Sequence, residues 1–153
     1  MVAEKWESAL ADCNEMIKLQ PQRPEGYLLR ASVHRVRKDH VQARQDYDEA
    51  LRCDSKHESG LIARAWFLAA CPDAEIRNGA QALVDAQAAC ELTAWKKLGA
   101  IEALAAAYAE QAQFDAAVRW QERALELAQG DADDVQTASK RLALYHLRQP
   151  YRE

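Results

Sequence analysis

Two arginines and two aspartates recur in step along the chain. Asp12 precedes Arg30 by 18 residues, and Asp46 precedes Arg64 by the same 18. This spacing predicts two equivalent ion pairs, Asp12–Arg30 and Asp46–Arg64, partly buried at successive junctions. Anion binding by the two arginines is the functional alternative. Asp85 stands where a third pair would begin, but the chain then offers Leu104, so the ladder is expected to stop. Such pairs set register more than they raise stability, because desolvation offsets much of the attraction. The other candidates are sparser. His34 and His40 are six residues apart and do not share a helix face, while His57 and His146 lie far away, so no metal site is expected. Cys13, Cys53, Cys71 and Cys90 contain no C-x-x-C pair and read as reduced, partly buried fillers. No nucleophile elbow, H-E-x-x-H, phosphate loop or dinucleotide fingerprint occurs. Carboxylates such as Glu122 and Glu126 flank Arg123 and read as solvated surface. The chain therefore nominates no catalytic residue and no cofactor.

The elements that position these residues are helical. Among 153 residues, 31 are Ala, against 7 Val, 4 Ile and 2 Thr, and Gly and Pro make only nine. Ala loses no side-chain entropy in a helix, whereas sheets draw on β-branched and aromatic residues. A net charge of −4 carries no basic excess, so no nucleic-acid partner is expected. No stretch approaches 18 consecutive apolar residues, and no membrane association is expected. The first ten residues carry Glu4 and Glu7 in place of a secretory apolar region, which predicts a cytoplasmic protein.

The chain also repeats itself. The phrase from Ala9 to Pro21 matches that from Ala43 to Ser55, and later copies begin at Ala82 and Ala117, so the pitch is 34, 39 and 35 residues. Between them lie Tyr27-x-x-Arg30-Ala31-x-x-His34, Leu61-x-x-Arg64-Ala65-x-x-Leu68 and Ile101-x-x-Leu104-Ala105-x-x-Tyr108. Each unit reads as two antiparallel helices, A and B, neither of which can bury its apolar stripe alone. Ala31, Ala65 and Ala105 on A, with Ala43, Ala82 and Ala117 on B, mark positions of close helix approach. Tyr27, Tyr47, Leu61, Leu68, Ile101 and Tyr108 fill the space between pairs. The pattern resembles the tetratricopeptide repeat over about residues 3–129. The stretch Ala65-Trp66 to Asp73, followed by Ala89 to Lys96, looks like a variant repeat found in bacterial multi-repeat proteins.

The resemblance implies an all-α, right-handed α–α superhelix of about three and a half repeats plus a capping helix, in one domain. Its parts are a half repeat at 3–21, repeats at 24–55 and 98–129, a repeat lengthened by five residues at 58–94, and a cap at 131–149. Helices are expected at 3–19, 24–38, 40–53, 58–71, 79–92, 98–111, 114–128 and 133–147. Lys38 and Ala112 stand where the turn between A and B usually carries Gly; a left-handed conformation there costs on the order of 1 kcal/mol. Trp95 is expected to pack over a B helix and Trp120 between helices, while Trp66 divides between core and ligand contact. Pro150 to Glu153 is read as a frayed or extended end.

A binding module is the function the resemblance implies: the inner wall of A helices receives an extended or amphipathic segment of a partner protein, without catalysis. That wall would comprise Glu25, Leu28, Ser32, Arg35, Ile62, Trp66, Ala69, Ala70, Glu102, Ala106, Ala109 and Glu110. The Lys/Asn arrangement with which some family members clamp a peptide's terminal carboxylate is absent; those sites carry Leu28, Leu29, Ser32 and Ala63. The alternative is a self-associating structural module. The first B helix lacks an A helix before it, so Trp6, Leu10, Cys13 and Ile17 could form a homodimer edge.

Overall fold

The computed structural model describes residues 2–153, with side chains described from Lys5 onward. Among the described residues there are eight α-helices and no strand. They are α1 Val2–Leu19, α2 Pro24–Val36, α3 His40–Cys53, α4 Glu58–Ala70, α5 Gly79–Leu92, α6 Leu98–Glu110, α7 Phe114–Leu127 and α8 Ala132–His146. Every expected helix is present, with ends displaced by at most two residues. The chain is an α-solenoid in class, and within each of its compact parts helices consecutive in sequence pack on one another. No helix is long and apolar enough to cross a membrane among the described residues.

The residues group into two compact units, one ending at Gly60 and the other running from Leu61 to Glu153. In the first, α1 packs on α2 and α2 on α3. Ala31, Ala43 and Ala50 are fully buried there with Tyr47 and Leu51. Gly26 lets α1 and α2 approach, since a Cβ at that position would lie 2.9 Å from Ile17 Cγ1 and 3.4 Å from the Ile17 backbone nitrogen.

In the second unit, α5 packs on α6, α6 on α7 and α7 on α8. Helix α6 is its centre: Ala100, Ile101 and the run from Ala103 to Ala107 are all buried, as expected of a helix apolar on nearly every side. Ala65, Ala82, Ala105 and Ala117 are fully buried, so the small residues that define the repeat do mark the tight contacts. Helix α8 presents Tyr145 and Ala138 to this core.

Four turns reverse the chain through left-handed residues that are not glycine. Lys38, Trp95, Ala112 and Arg148 have φ of 66°, 61°, 57° and 54°, and Ala94 has 49°. Each turn closes the paired hydrogen bonds of a Schellman motif: Asp39 N–H donates to His34 O at 2.9 Å and Gln113 N–H to Tyr108 O at 2.9 Å. Lys38 and Ala112 thus take the strained conformation that their positions imply. The five-residue insertion forms a strap from α4 to α5, with Ile76 buried and Asn78 capping α5 by accepting from Gln81 N–H at 3.0 Å.

Candidate functional site

The Arg–Asp ladder exists, but in a different register. Arg30 donates through Nε and Nη2 to Asp46 at 2.8 and 2.7 Å, and Arg64 donates through the same pair of nitrogens to Asp85 at 2.7 and 2.9 Å. The expected Asp12–Arg30 pair does not form, since Asp12 is exposed on α1; both oxygens of Asp46 are taken by Arg30, and Nε and Nη2 of Arg64 are given to Asp85. Each guanidinium on an A helix reaches forward to the B helix of its own hairpin, where the closest approach occurs. Both aspartates are buried, and the hydrogen bond to Asp46 pushes the Arg30 pKa further above its already high value. Arg30 also gives Nη1 to Asn14 Oδ1 at 2.6 Å, and Gln81 Nε2 donates to Asp85 at 2.9 Å. With these donors engaged, the ladder reads as architecture, and the anion-binding alternative loses its support.

The residues expected along one inner wall fall into different surroundings. In the first unit, Glu25 and Ser32 are exposed and Leu28 and Arg35 half-buried, and the Ser32 hydroxyl donates to Leu28 O at 3.0 Å. Ser32 lines a cleft of about 390 Å³ between α1 and α2, together with Trp6, Ala9, Met16, Leu29 and Val36. Of the four residues expected at an open dimer edge, Cys13 is buried, while Trp6, Leu10 and Ile17 are half-buried. The α1 stripe turns inward onto α2, leaving Met16, Leu29 and Val36 as the exposed apolar groups there.

In the second unit, Ala69, Ala70, Ala106 and Ala109 are buried and offer no side-chain surface, and Ile62 is half-buried. Trp66, Glu102 and Glu110 carry the chemistry, and they meet a segment expected to be frayed or extended. The Schellman turn at Arg148 ends α8: Gln149 N–H donates to Leu144 O at 2.9 Å. Pro150 then prevents helix from resuming. Tyr151, Arg152 and Glu153 lie across the end of α4 in non-helical conformation, docked rather than frayed.

The reason for docking is visible in the carbonyls of α4. A helix leaves its last four carbonyls without internal partners, and Pro72 stops α4 without a glycine cap. Phe67 O accepts from Cys71 N–H at 3.0 Å, and Leu68 O from Asn78 N–H at 2.9 Å. Ala69 O accepts from Arg152 Nη1 at 3.1 Å, and Ala70 O from Glu153 N–H at 3.0 Å. The tail therefore completes the cap, and its cation sits where the helix dipole favours positive charge.

Side chains fix the rest. Trp66 Nε1–H donates to Glu153 Oε1 at 2.7 Å, and the Trp66 and Tyr151 rings lie 5.6 Å apart at 41°. The Arg141 guanidinium, from α8, lies 4.3 Å from the Trp66 centroid and 5.1 Å from that of Tyr151. It is paired with Glu102 of α6 at 2.6 Å. Glu110 receives Arg152 at 2.5 Å and Arg77 of the strap at 3.0 Å. Arg77 also donates to Cys71 O and Pro72 O, which ties the insertion to the same place. Below this surface the Tyr145 hydroxyl is buried with no hydrogen-bond partner among the described residues, and burial pushes its pKa up.

Sequence reading missed Arg77, Arg141, Tyr151, Arg152 and Glu153. Trp95, as expected, covers a B helix: it stacks on Trp120 of α7 with centroids 5.1 Å apart and planes at 21°. Trp120 packs against the core formed by Ala105, Ala109, Ala117 and Tyr145. All four cysteines are free thiols, with Cys13, Cys71 and Cys90 buried.

No family model matches the chain, and no curated protein does. Among solved structures it is similar to the crystal structure of PilW, described as a widely conserved type IV pilus biogenesis factor. The two are 18% identical, the match covers 97% of this chain and 70% of that one, and the TM-score is 0.71. At this identity the likeness is one of fold, and it is the fold reached above from the residues: an all-α helical repeat.

Proposed function

We propose that the chain is a non-catalytic protein-interaction scaffold, and that the face built from Trp66, Glu102, Glu110 and Arg141 receives an extended segment of a partner protein. One observation carries this reading: a short non-helical stretch already lies on that face, held by main-chain and side-chain hydrogen bonds. A half-buried indole with its N–H at the surface, paired carboxylates and a stacked guanidinium are the groups that fix orientation and sequence at interfaces. The fold shared with a pilus biogenesis factor supports an assembly role over a catalytic one. Free thiols support a reducing compartment, and we place the protein in the cytoplasm. The test is a peptide-array screen with the full chain, in which Trp66→Ala and Arg141→Ala remove capture and Arg35→Glu does not. Capture that survives both changes refutes the assignment.

A second reading, self-association, is favoured by the apolar cleft between α1 and α2 with its exposed Met16, Leu29 and Val36. It predicts a dimer that dissociates on Leu29→Asp substitution. A monomer by light scattering across a dilution series removes it.

A further inference from the structure

We propose that Tyr151–Glu153 is a built-in competitor for this face, and that the partner it excludes presents the same chemistry: an aromatic residue, then an arginine, then an acid. The inference rests on the peptide-binding reading and adds the ligand class and its regulation. Each tail residue answers a different demand of the surface. Tyr151 supplies the second ring beside Arg141. Arg152 supplies a cation that forms an ion pair with Glu110 and donates to the Ala69 carbonyl. Glu153 supplies an acceptor for the Trp66 indole and a backbone N–H for the Ala70 carbonyl.

If the tail leaves, the surface wants these same items back. Glu110 keeps Arg77 but loses its second cation, Trp66 loses its acceptor, and two carbonyls at the end of α4 lose their donors. A segment with an aromatic–Arg–acid run meets all of these demands, whereas a purely apolar helix meets none of the polar ones. The groups on the face balance in charge: Arg77 and Arg141 stand against Glu102 and Glu110, and Arg152 against Glu153 in the tail. Long-range attraction therefore contributes little, and selection falls to these short contacts.

The segment after Pro150 is non-helical, with Tyr151 and Arg152 half-buried and Glu153 exposed; Tyr151 packs against the buried core, and Arg152 and Glu153 hold the Ala69 and Ala70 carbonyls. A tethered segment acts at an effective concentration in the millimolar range, so against a trans Kd of ~100 µM it would weaken partner binding roughly ten- to hundredfold.

The test uses the full chain and an amidated, fluorescein-labelled peptide spanning Leu147–Glu153, read by anisotropy. The Tyr151→Ala/Arg152→Gln/Glu153→Gln chain is expected to bind the peptide at least tenfold tighter than wild type. Adding Trp66→Phe, which keeps the ring and removes the N–H donor, should weaken that binding several-fold. If the Tyr151 change lowers the helical circular-dichroism signal, the Arg152→Gln/Glu153→Gln chain carries the same comparison with the ring in place. Equal binding by wild type and released chain overturns the competitor role while leaving a peptide-binding face intact. No binding of this peptide by either chain, alongside Trp66-dependent capture of other sequences on the array, overturns the ligand class alone. Loss of all Trp66-dependent capture removes the underlying reading as well.

Discussion

Replacing Arg64 by Leu strands a buried carboxylate, and the size of the loss follows from the surroundings of Asp85. The Asp85 side chain is 3% exposed and takes two hydrogen bonds from Arg64, at 2.7 and 2.9 Å. Removing one partner of such a pair costs about 3–5 kcal/mol, because the remaining charge is uncompensated. Gln81 Nε2 still donates to Asp85, which places the expected loss at the lower end, about 3 kcal/mol. Asp85→Leu leaves a less buried cation and should cost about 2 kcal/mol. The double variant Arg64→Leu/Asp85→Leu exchanges the pair for apolar contact, as the chain itself does in its next hairpin, where Leu104 and Trp120 occupy the equivalent positions. It should therefore unfold within about 1 kcal/mol of wild type, giving a coupling above about 2 kcal/mol. Urea denaturation followed by tryptophan fluorescence and by circular dichroism measures each corner of the cycle. The same cycle on Asp12 and Arg30 should show no coupling. Single variants whose losses simply add, or an Arg64→Leu chain as stable as wild type, would refute the pairing.

Other outcomes follow from single residues. Lys38→Gly and Ala112→Gly relieve left-handed strain at exposed turns and should each raise stability by about 0.5–1 kcal/mol in thermal or urea unfolding, the glycine's own entropy offsetting part of the gain. Gly26→Ala gains helix propensity but drives a methyl to within 2.9 Å of Ile17, so it should destabilise by about 1–2 kcal/mol, against the propensity scale. Burial pushes the Cys90 thiol up to about 11 from an ordinary 9.0. The unfolded chain then loses this proton first as pH rises, so stability present below about pH 9 declines toward pH 11, by up to roughly 1.4 kcal/mol per pH unit. Wild type minus Cys90→Ala in urea titrations at pH 8 and 10.5 isolates that slope. Half-buried Cys53 should react first with a thiol reagent at pH 8, ahead of Cys13, Cys71 and Cys90.

The helices were legible because alanine at fixed spacing has one physical use here, close packing of axes, and all six repeat alanines are fully buried. Ladder register was harder to read. In a 34-residue repeat a forward spacing of 16 implies a backward spacing of 18, so Arg30 faces Asp46 or Asp12 with equal arithmetic. One signal does separate them. Where the A helix gives up its arginine, at Leu104, the B helix of the same hairpin gives up its aspartate, at Trp120, whereas the backward register leaves Asp85 facing Leu104. Partners that change together identify the hairpin as the pairing unit.

The docked tail had no comparable signature. Its bonds span 83 and 87 residues of chain, from Arg152 to Ala69 and from Glu153 to Trp66, and no local pattern encodes them. What the sequence does carry is a helix stopped by proline at Cys71-Pro72 with no glycine cap to follow. The open carbonyls this leaves predict that some distant donor must arrive. Arg141 was likewise hidden among the basic residues near the end of α8, although its guanidinium serves an indole, a phenol ring and a carboxylate at once.

The indole N–H resonance of Trp66, assigned by its loss in Trp66→Phe, tests the proposed face most directly. Adding the Leu147–Glu153 peptide to the Arg152→Gln/Glu153→Gln chain should move that signal back toward its wild-type position, with Trp6, Trp95 and Trp120 unmoved. A titration that shifts Trp6 in the α1–α2 cleft instead, or leaves Trp66 untouched, would contradict it.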